Sequence, residues 1–151
     1  MADDPMSIAF LEARAAEARG EVPVGAALAR CGVVIASAGN RTREDSDPTA
    51  HAEMLAIRSV TKREGVRLTE CDLYVTLEPC AMCAGAISHA RLRRLYYAAP
   101  DPKGGAVDHG PRFFMQPTCL HAPGVYGGGT TVNGEASQPS PVMPQRRGEH
   151  Y

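Results

Sequence analysis

Residues 76–86 read T-L-E-P-C-A-M-C-A-G-A and place two cysteines at C-x-x-C spacing directly after a proline. The residues before this stretch, 72–76, predict a short buried strand, and the small and apolar residues after it predict a helix. Because proline is favoured at the first position of a helix, we expect Pro79 there and both cysteines in the first turn, on one face. A helix start lowers the pKa of nearby thiols, so the sequence predicts two thiolates.

Two thiolates supply half of a zinc site, and the segment H-A-E upstream supplies candidates for the rest. His51 lies at the start of another predicted helix, and Glu53 follows it by two residues. Together with Cys80 and Cys83, His51 would give zinc three protein ligands and leave the fourth position for water. That arrangement is typical of a catalytic site rather than a structural one. Glu53 is then placed to move protons for that water.

The combination of H-x-E with P-C-x-x-C resembles the signature of zinc-dependent nucleobase deaminases. Further segments resemble the tRNA adenosine deaminase family, namely Glu21–Ala26, Asn40–Arg41, Asp47–Glu53 and Leu77–Ala86. The resemblance extends from about residue 6 to about residue 128. It implies a cytidine-deaminase-like α/β fold, a three-layer sandwich in which a five-stranded mixed sheet is flanked by helices.

The same resemblance implies hydrolytic deamination of adenosine to inosine at the wobble position of a tRNA anticodon, with one zinc ion per subunit. Glu53 would carry a proton from the attacking water to the purine ring and then to the leaving amine. Contacts to the substrate are implied for six residues, namely Pro23, Val24, Asn40, Ala52, Asp101 and Lys103. The implied partners are the anticodon loop of tRNA-Arg and a second copy of the chain in a homodimer.

Composition limits the alternatives. A chain of 151 residues with 44% hydrophobic residues is long enough for one domain with its own core. The formal net charge is −1, so any contact with RNA must come from a local basic patch. Five cysteines, without the spacing of a disulfide framework, fit a reducing compartment. No signal peptide or membrane-spanning run is predicted, and we therefore expect a cytoplasmic protein.

Apolar periodicity predicts the remaining elements. A helix is expected to begin near Pro5 behind an aspartate cap. The apolar runs 22–29 and 33–38 predict a β-hairpin that is buried on both faces. Residues 95–99 predict a fourth strand, and residues 123–128 predict a short last one. With the strand before the C-x-x-C motif, this makes five strands.

The predicted deaminase domain spans residues 1–126, and residues 127–151 are predicted to form a flexible tail. The tail holds five glycines and three prolines in 25 positions. Glycine and proline disfavour a long helix. The sequence therefore departs here from the resemblance, which implies a terminal helix packed on the sheet.

Two other functions fit parts of the pattern. The same chemistry on a free purine, as in guanine deaminases, fits the near-neutral charge and the unusual tail, although segments 21–25 and 77–86 favour tRNA. A structural zinc module that binds nucleic acid would need a fourth protein ligand, and none lies at a recognisable spacing. The structural module would also leave Glu53 without a role.

Overall fold

The computed structural model describes residues 3–128 of the 151-residue chain. The elements in chain order are α1 (Pro5–Ala18), β1 (Gly25–Arg30), β2 (Val33–Gly39), α2 (Ala52–Glu64), β3 (Cys71–Leu77), α3 (Ala81–His89), β4 (Arg94–Ala99), a 3-10 turn (Phe113–Met115) and β5 (Gly124–Gly127). The predicted tail lies outside the described residues, except that Gly127 ends β5 and Gly128 follows it. Within residues 3–128, no helix combines the length and the apolar character needed to cross a membrane.

The five strands form one mixed sheet in the order β2-β1-β3-β4-β5. Strand β1 runs antiparallel to both β2 and β3, whereas β3, β4 and β5 are parallel to one another. The parallel pair β3–β4 requires a crossover, and α3 supplies it. The carboxyl ends of β3 and β4 therefore lie at the same edge of the sheet as the start of β1 and the end of β2. We call this the carboxyl edge.

Helices cover both faces of the sheet. On one face, α1 lies so close to β1 that a Cβ at Gly25 would overlap the backbone carbonyl of Ala9. On the other face, α2 and α3 pack over the main apolar core, whose fully buried members include Leu28, Leu73, Ile87 and Leu95. The predicted three-layer sandwich with a five-stranded mixed sheet is confirmed.

The predicted hairpin forms, but its burial differs between the two strands. Strand β1 is buried along nearly its whole length because it has a strand on each side. Strand β2 lies at the end of the sheet and is partly exposed, with Val33 57% accessible. The prediction that both strands are buried on both faces is therefore wrong for β2. Apolar composition alone does not distinguish a central strand from an edge strand.

Candidate metal and nucleoside site

Two helix starts meet at the carboxyl edge. His51 occupies the N-cap position of α2, and Cys80 occupies the N-cap position of α3. The Nδ1 atom of His51 lies 3.6 Å from Cys80 Sγ and 3.5 Å from Cys83 Sγ. All three candidate ligand atoms lie within 4.8 Å of one another. The structure thus brings together the three ligands that the sequence predicts.

The start of α3 differs in detail from the sequence prediction. Pro79 was expected at the first helical position, but the helix begins at Ala81. Cys80 has extended backbone angles, φ −75° and ψ 176°, and neither Cys80 nor His51 makes a side-chain hydrogen bond to cap its helix. Cys80 is therefore at the N-cap position, and Cys83 is the third residue of the helix. Both side chains are left to turn towards His51.

The pKa values of the two cysteine thiols are shifted in opposite directions. A hydrogen bond from Cys83, together with the contact to His51, lowers the pKa of Cys80 to about 4 despite its burial. The pKa of Cys83 is raised because its thiol donates to Cys80 and because it is buried. These directions follow because two negative sulfurs in contact repel each other, and the expectation of two thiolates stays a prediction. A bound zinc ion would offset that repulsion and favour deprotonation of both thiols.

The donor set fits zinc. One imidazole nitrogen and two thiolate sulfurs are ligands that zinc prefers, and three protein ligands leave one position open. In the part of the chain that the structure describes, the cluster of candidate ligands consists of His51, Cys80 and Cys83. A structural site would need a fourth protein ligand. The alternative of a structural zinc module is therefore not supported by residues 3–128.

Glu53 lies two residues after His51, on the first turn of α2. Its side chain is fully buried, and within residues 3–128 neither of its carboxylate oxygens has a hydrogen-bond partner. Burial raises the pKa of Glu53 to about 7. The charge of Cys80 also raises this pKa, whereas that of His51 lowers it. An unpaired buried carboxylate is costly and therefore marks a site at which a ligand completes the hydrogen bonding.

Asn40 and the segment before β1 lie at the same carboxyl edge of the sheet. The backbone N–H of Asn40, directly after β2, donates to the carbonyl of Val24 at 3.0 Å. Pro23, Val24 and Asn40 are all buried. The Oδ1 atom of Asn40 has no hydrogen-bond partner among residues 3–128, whereas its Nδ2 donates to Thr42 at 3.4 Å. The substrate-binding roles predicted for these three residues remain predictions.

Asp101 and Lys103 follow β4 at the same edge. The Oδ1 atom of Asp101 accepts the backbone N–H groups of Lys103 and Gly104, at 3.2 and 3.0 Å, so this carboxylate stabilises a turn. Lys103 is exposed. The roles predicted for both residues in binding substrate remain predictions, and the structure adds a local role for Asp101.

Sequence reasoning missed two buried glutamates that fasten loops at the carboxyl edge. Glu21 accepts the backbone N–H groups of Arg43 and Glu44, at 3.1 and 2.8 Å, and so holds the loop after Asn40. Glu78 holds the loop after β4. Burial acts to raise the pKa of Glu78, but hydrogen bonds from that loop outweigh burial, and the pKa is lowered. Both glutamates lie in segments that resemble the family, but the sequence alone does not show which backbone groups they bind.

Comparisons with known proteins agree with this geometry. Residues 2–99 match the family model described as the cytidine and deoxycytidylate deaminase zinc-binding region. The chain is 63% identical over 124 residues to a tRNA-specific adenosine deaminase of Agrobacterium fabrum, covering 82% of each chain.

Solved structures give the same result. A structure from work on A-to-I editing by tRNA:A34 deaminases matches with a TM-score of 0.80 and 62% identity, over 82% of this chain and 96% of that one. A guanine deaminase from Bacillus subtilis matches less well, with a TM-score of 0.60 and 40% identity over 64% of this chain and 62% of that one. The chain belongs to the zinc-binding cytidine and deoxycytidylate deaminases and, within them, to the tRNA-specific adenosine deaminase family.

Proposed function

We propose that this protein converts adenosine to inosine at the wobble position of a tRNA anticodon by hydrolysis, with release of ammonia. The observation that carries the proposal is the cluster of His51, Cys80 and Cys83 next to the start of α2, where Glu53 is buried without a partner in residues 3–128. Two of the relatives named above, the tRNA-specific adenosine deaminase and the tRNA:A34 deaminase structure, bear the name of this reaction, and the chain covers 82% and 96% of them.

His51, Cys80 and Cys83 would hold one zinc ion, which when bound is a Lewis acid that makes water nucleophilic at neutral pH. Glu53 takes a proton from the attacking water and delivers it to N1 of the adenine ring while the oxygen adds to C6. A second proton passes through the same carboxylate to the amine, which leaves as ammonia. The burial of Glu53 shields these transfers from bulk water.

The adenosine would bind between the walls of the carboxyl edge. We assign hydrogen bonds with the nucleoside to Asn40 and to the backbone of Ala52, and apolar contacts to Pro23 and Val24. Support comes from the Oδ1 atom of Asn40, which has no partner in residues 3–128. The backbone hydrogen bond from Asn40 to Val24, which joins the two segments, also supports it. The base must leave the stack to enter such a buried site, and a loop nucleotide does so at low cost.

Asp101 and Lys103 are assigned to the nucleotides next to the target. The exposed ammonium group of Lys103 suits a phosphate, and Asp101 fixes the turn that presents it. A local cation of this kind is needed because the net charge of the chain is −1. The anticodon loop of tRNA-Arg is the RNA that we propose.

We further propose a homodimer and a cytoplasmic location. The apolar side chains of Met115 and Leu120 are 79% and 76% exposed, and they could contact a second copy of the chain. The cysteines in residues 3–128 are all free thiols, which supports a reducing compartment.

The test compares three substrates with zinc-loaded protein: an anticodon stem-loop with adenosine at the wobble position, free adenosine, and free guanine. We expect inosine in the stem-loop, with a kcat/KM that exceeds those of both free compounds. Faster release of ammonia from guanine would contradict the proposal and favour a free-purine deaminase.

A further inference from the structure

Glu78 is 1% exposed and lies two residues before Cys80, at the end of β3. Its Oε2 atom accepts three consecutive backbone N–H groups, those of Val107, Asp108 and His109, at 3.1, 3.0 and 3.1 Å. One oxygen of a single carboxylate thus binds a run of amides in the loop that follows β4.

The other oxygen binds both ends of the same loop. Oε1 of Glu78 accepts the backbone N–H of Asp101 at 3.1 Å and lies 2.7 Å from Nδ1 of His109. A Cβ at Gly105 would lie 2.5 Å from the Glu78 carboxylate, so the loop passes directly over it. Residues 101–109, which we call the β4 loop, therefore wrap around one buried carboxylate.

The β4 loop is also fastened to the residue next to Cys80. The backbone N–H of Ala106 donates to the carbonyl of Pro79 at 2.9 Å. Glu78 itself is held independently, because its backbone N–H donates to the carbonyl of Ala99 at 2.8 Å. Loss of the carboxylate would thus remove its hydrogen bonds to the loop, whereas the Ala106–Pro79 bond and the bond from the Glu78 backbone to Ala99 would remain.

We infer that Glu78 is a positioning residue, whose carboxylate holds the β4 loop in the conformation that presents Lys103 to the RNA beside the reacting adenosine. This inference rests on the proposed function. We assign Glu78 no contact with the reacting atoms. It acts through the loop, and its effect belongs to the binding of a polynucleotide rather than to zinc or proton transfer.

The first test measures the loop itself, without substrate. Glu78→Gln keeps the size of the side chain but removes its charge and replaces one accepting oxygen with an NH2 group, a donor that repels the N–H groups facing it. In the zinc-loaded protein, we expect hydrogen exchange at the amides of 107–109 to become at least about tenfold faster, since hydrogen bonds to a charged group are lost. Glu21→Gln is the matched control, since it removes an equally buried carboxylate from another loop.

The second test is a kinetic cycle on the anticodon stem-loop, combining Glu78→Gln with Lys103→Ala. We expect Glu78→Gln to raise KM about fivefold to tenfold with a smaller change in kcat, and to have much less effect in the Lys103→Ala background. Zinc content should stay at one per chain. A general loss of stability would not produce such coupling to Lys103.

Unchanged exchange at 107–109, or an equal rise in KM in both backgrounds, would overturn the inference. If Glu78→Gln does not fold, His109→Ala, which removes only the ring contact, takes its place in the same cycle with the same criterion. Wild-type protein that is inactive on the stem-loop would refute the proposed function, and the exchange measurement would still decide whether Glu78 orders the loop.

Discussion

The residues at the carboxyl edge differ in the roles that we propose for them. His51, Cys80 and Cys83 form the metal cluster, whereas Glu53 is buried beside them and lacks a partner in residues 3–128. A carboxylate in such a place raises the free energy of the folded state unless a ligand completes its hydrogen bonds. We therefore attribute its presence to proton transfer and not to stability.

Glu53→Gln should abolish turnover without removing zinc. The amide has the same shape but cannot accept and return a proton, so we expect kcat to fall by at least about 10²–10⁴-fold. The measurement is inosine formation, with zinc quantified in the same sample. Glu64→Gln, an exposed acid at the far end of α2 that pairs with Arg30, is the matched control and should retain activity. Substantial turnover by Glu53→Gln would contradict the proton-transfer role.

The cysteines allow an equally direct comparison. Cys83→Ser should lose most of its zinc and its activity, because a serine hydroxyl is a poor zinc ligand compared with a thiolate. Cys31→Ser, at the exposed turn between β1 and β2, should bind one zinc ion per chain as the wild type does. Chelation of the wild type should abolish activity, and added zinc should restore it. Full zinc content in Cys83→Ser would remove Cys83 from the ligand set.

At this scale, the sequence predicted the residues whose spacing is short. The C-x-x-C and H-x-E patterns each lie within one helix start, so their geometry follows from local backbone structure. Glu78 could not be assigned in the same way, because its partners in the β4 loop lie 23 to 31 residues away. Which amides a buried carboxylate will find depends on the order of strands in the sheet.

Among the elements, the glycines of β1 and β2 determine how closely α1 approaches the sheet. Gly25 and Gly39 pair across β1 and β2, and a Cβ on either would meet the backbone of α1. The sequence showed two glycines near strand ends but not that a helix would lie against them. The same limit applies to β2, whose edge position is set by strand order.

Gly25→Ala should therefore destabilise the fold. The added methyl group would overlap the Ala9 carbonyl and push α1 outwards, at a cost of about 1–3 kcal/mol or more in the free energy of unfolding. Denaturant unfolding of the zinc-loaded protein measures this. Gly85→Ala is the matched control: its Cβ meets no atom within 4 Å, and it should stabilise α3 by about 0.5–1 kcal/mol. Equal stabilities of the two variants would contradict the close approach of α1.

At the scale of the whole molecule, the mixed sheet places every proposed site residue at one edge. The segment before β1, the end of β2, the start of α2 and the segments after β3 and β4 all meet there. The resemblance predicted this sheet, and the parallel pair β3–β4 joined by α3 accounts for it physically. All of the proposed site residues lie within residues 3–128, and we propose that this part carries the catalytic function.

Removing residues 129–151 tests that assignment. We expect the shortened chain to bind one zinc ion and to keep kcat on the anticodon stem-loop within about twofold, because no proposed catalytic or binding residue is removed. A rise in KM alone would assign the removed segment to RNA binding. Loss of zinc or a collapse of kcat would show that the catalytic part extends beyond residue 128.

The most direct test of the central claim is the position of inosine in an anticodon stem-loop incubated with zinc-loaded protein. One substrate carries adenosine at the wobble position, and a matched substrate carries it one nucleotide away. We expect inosine at the wobble position, none at the shifted position, and none with Glu53→Gln. Inosine at both positions, or none at either from a protein that holds one zinc ion per chain, would contradict the claim.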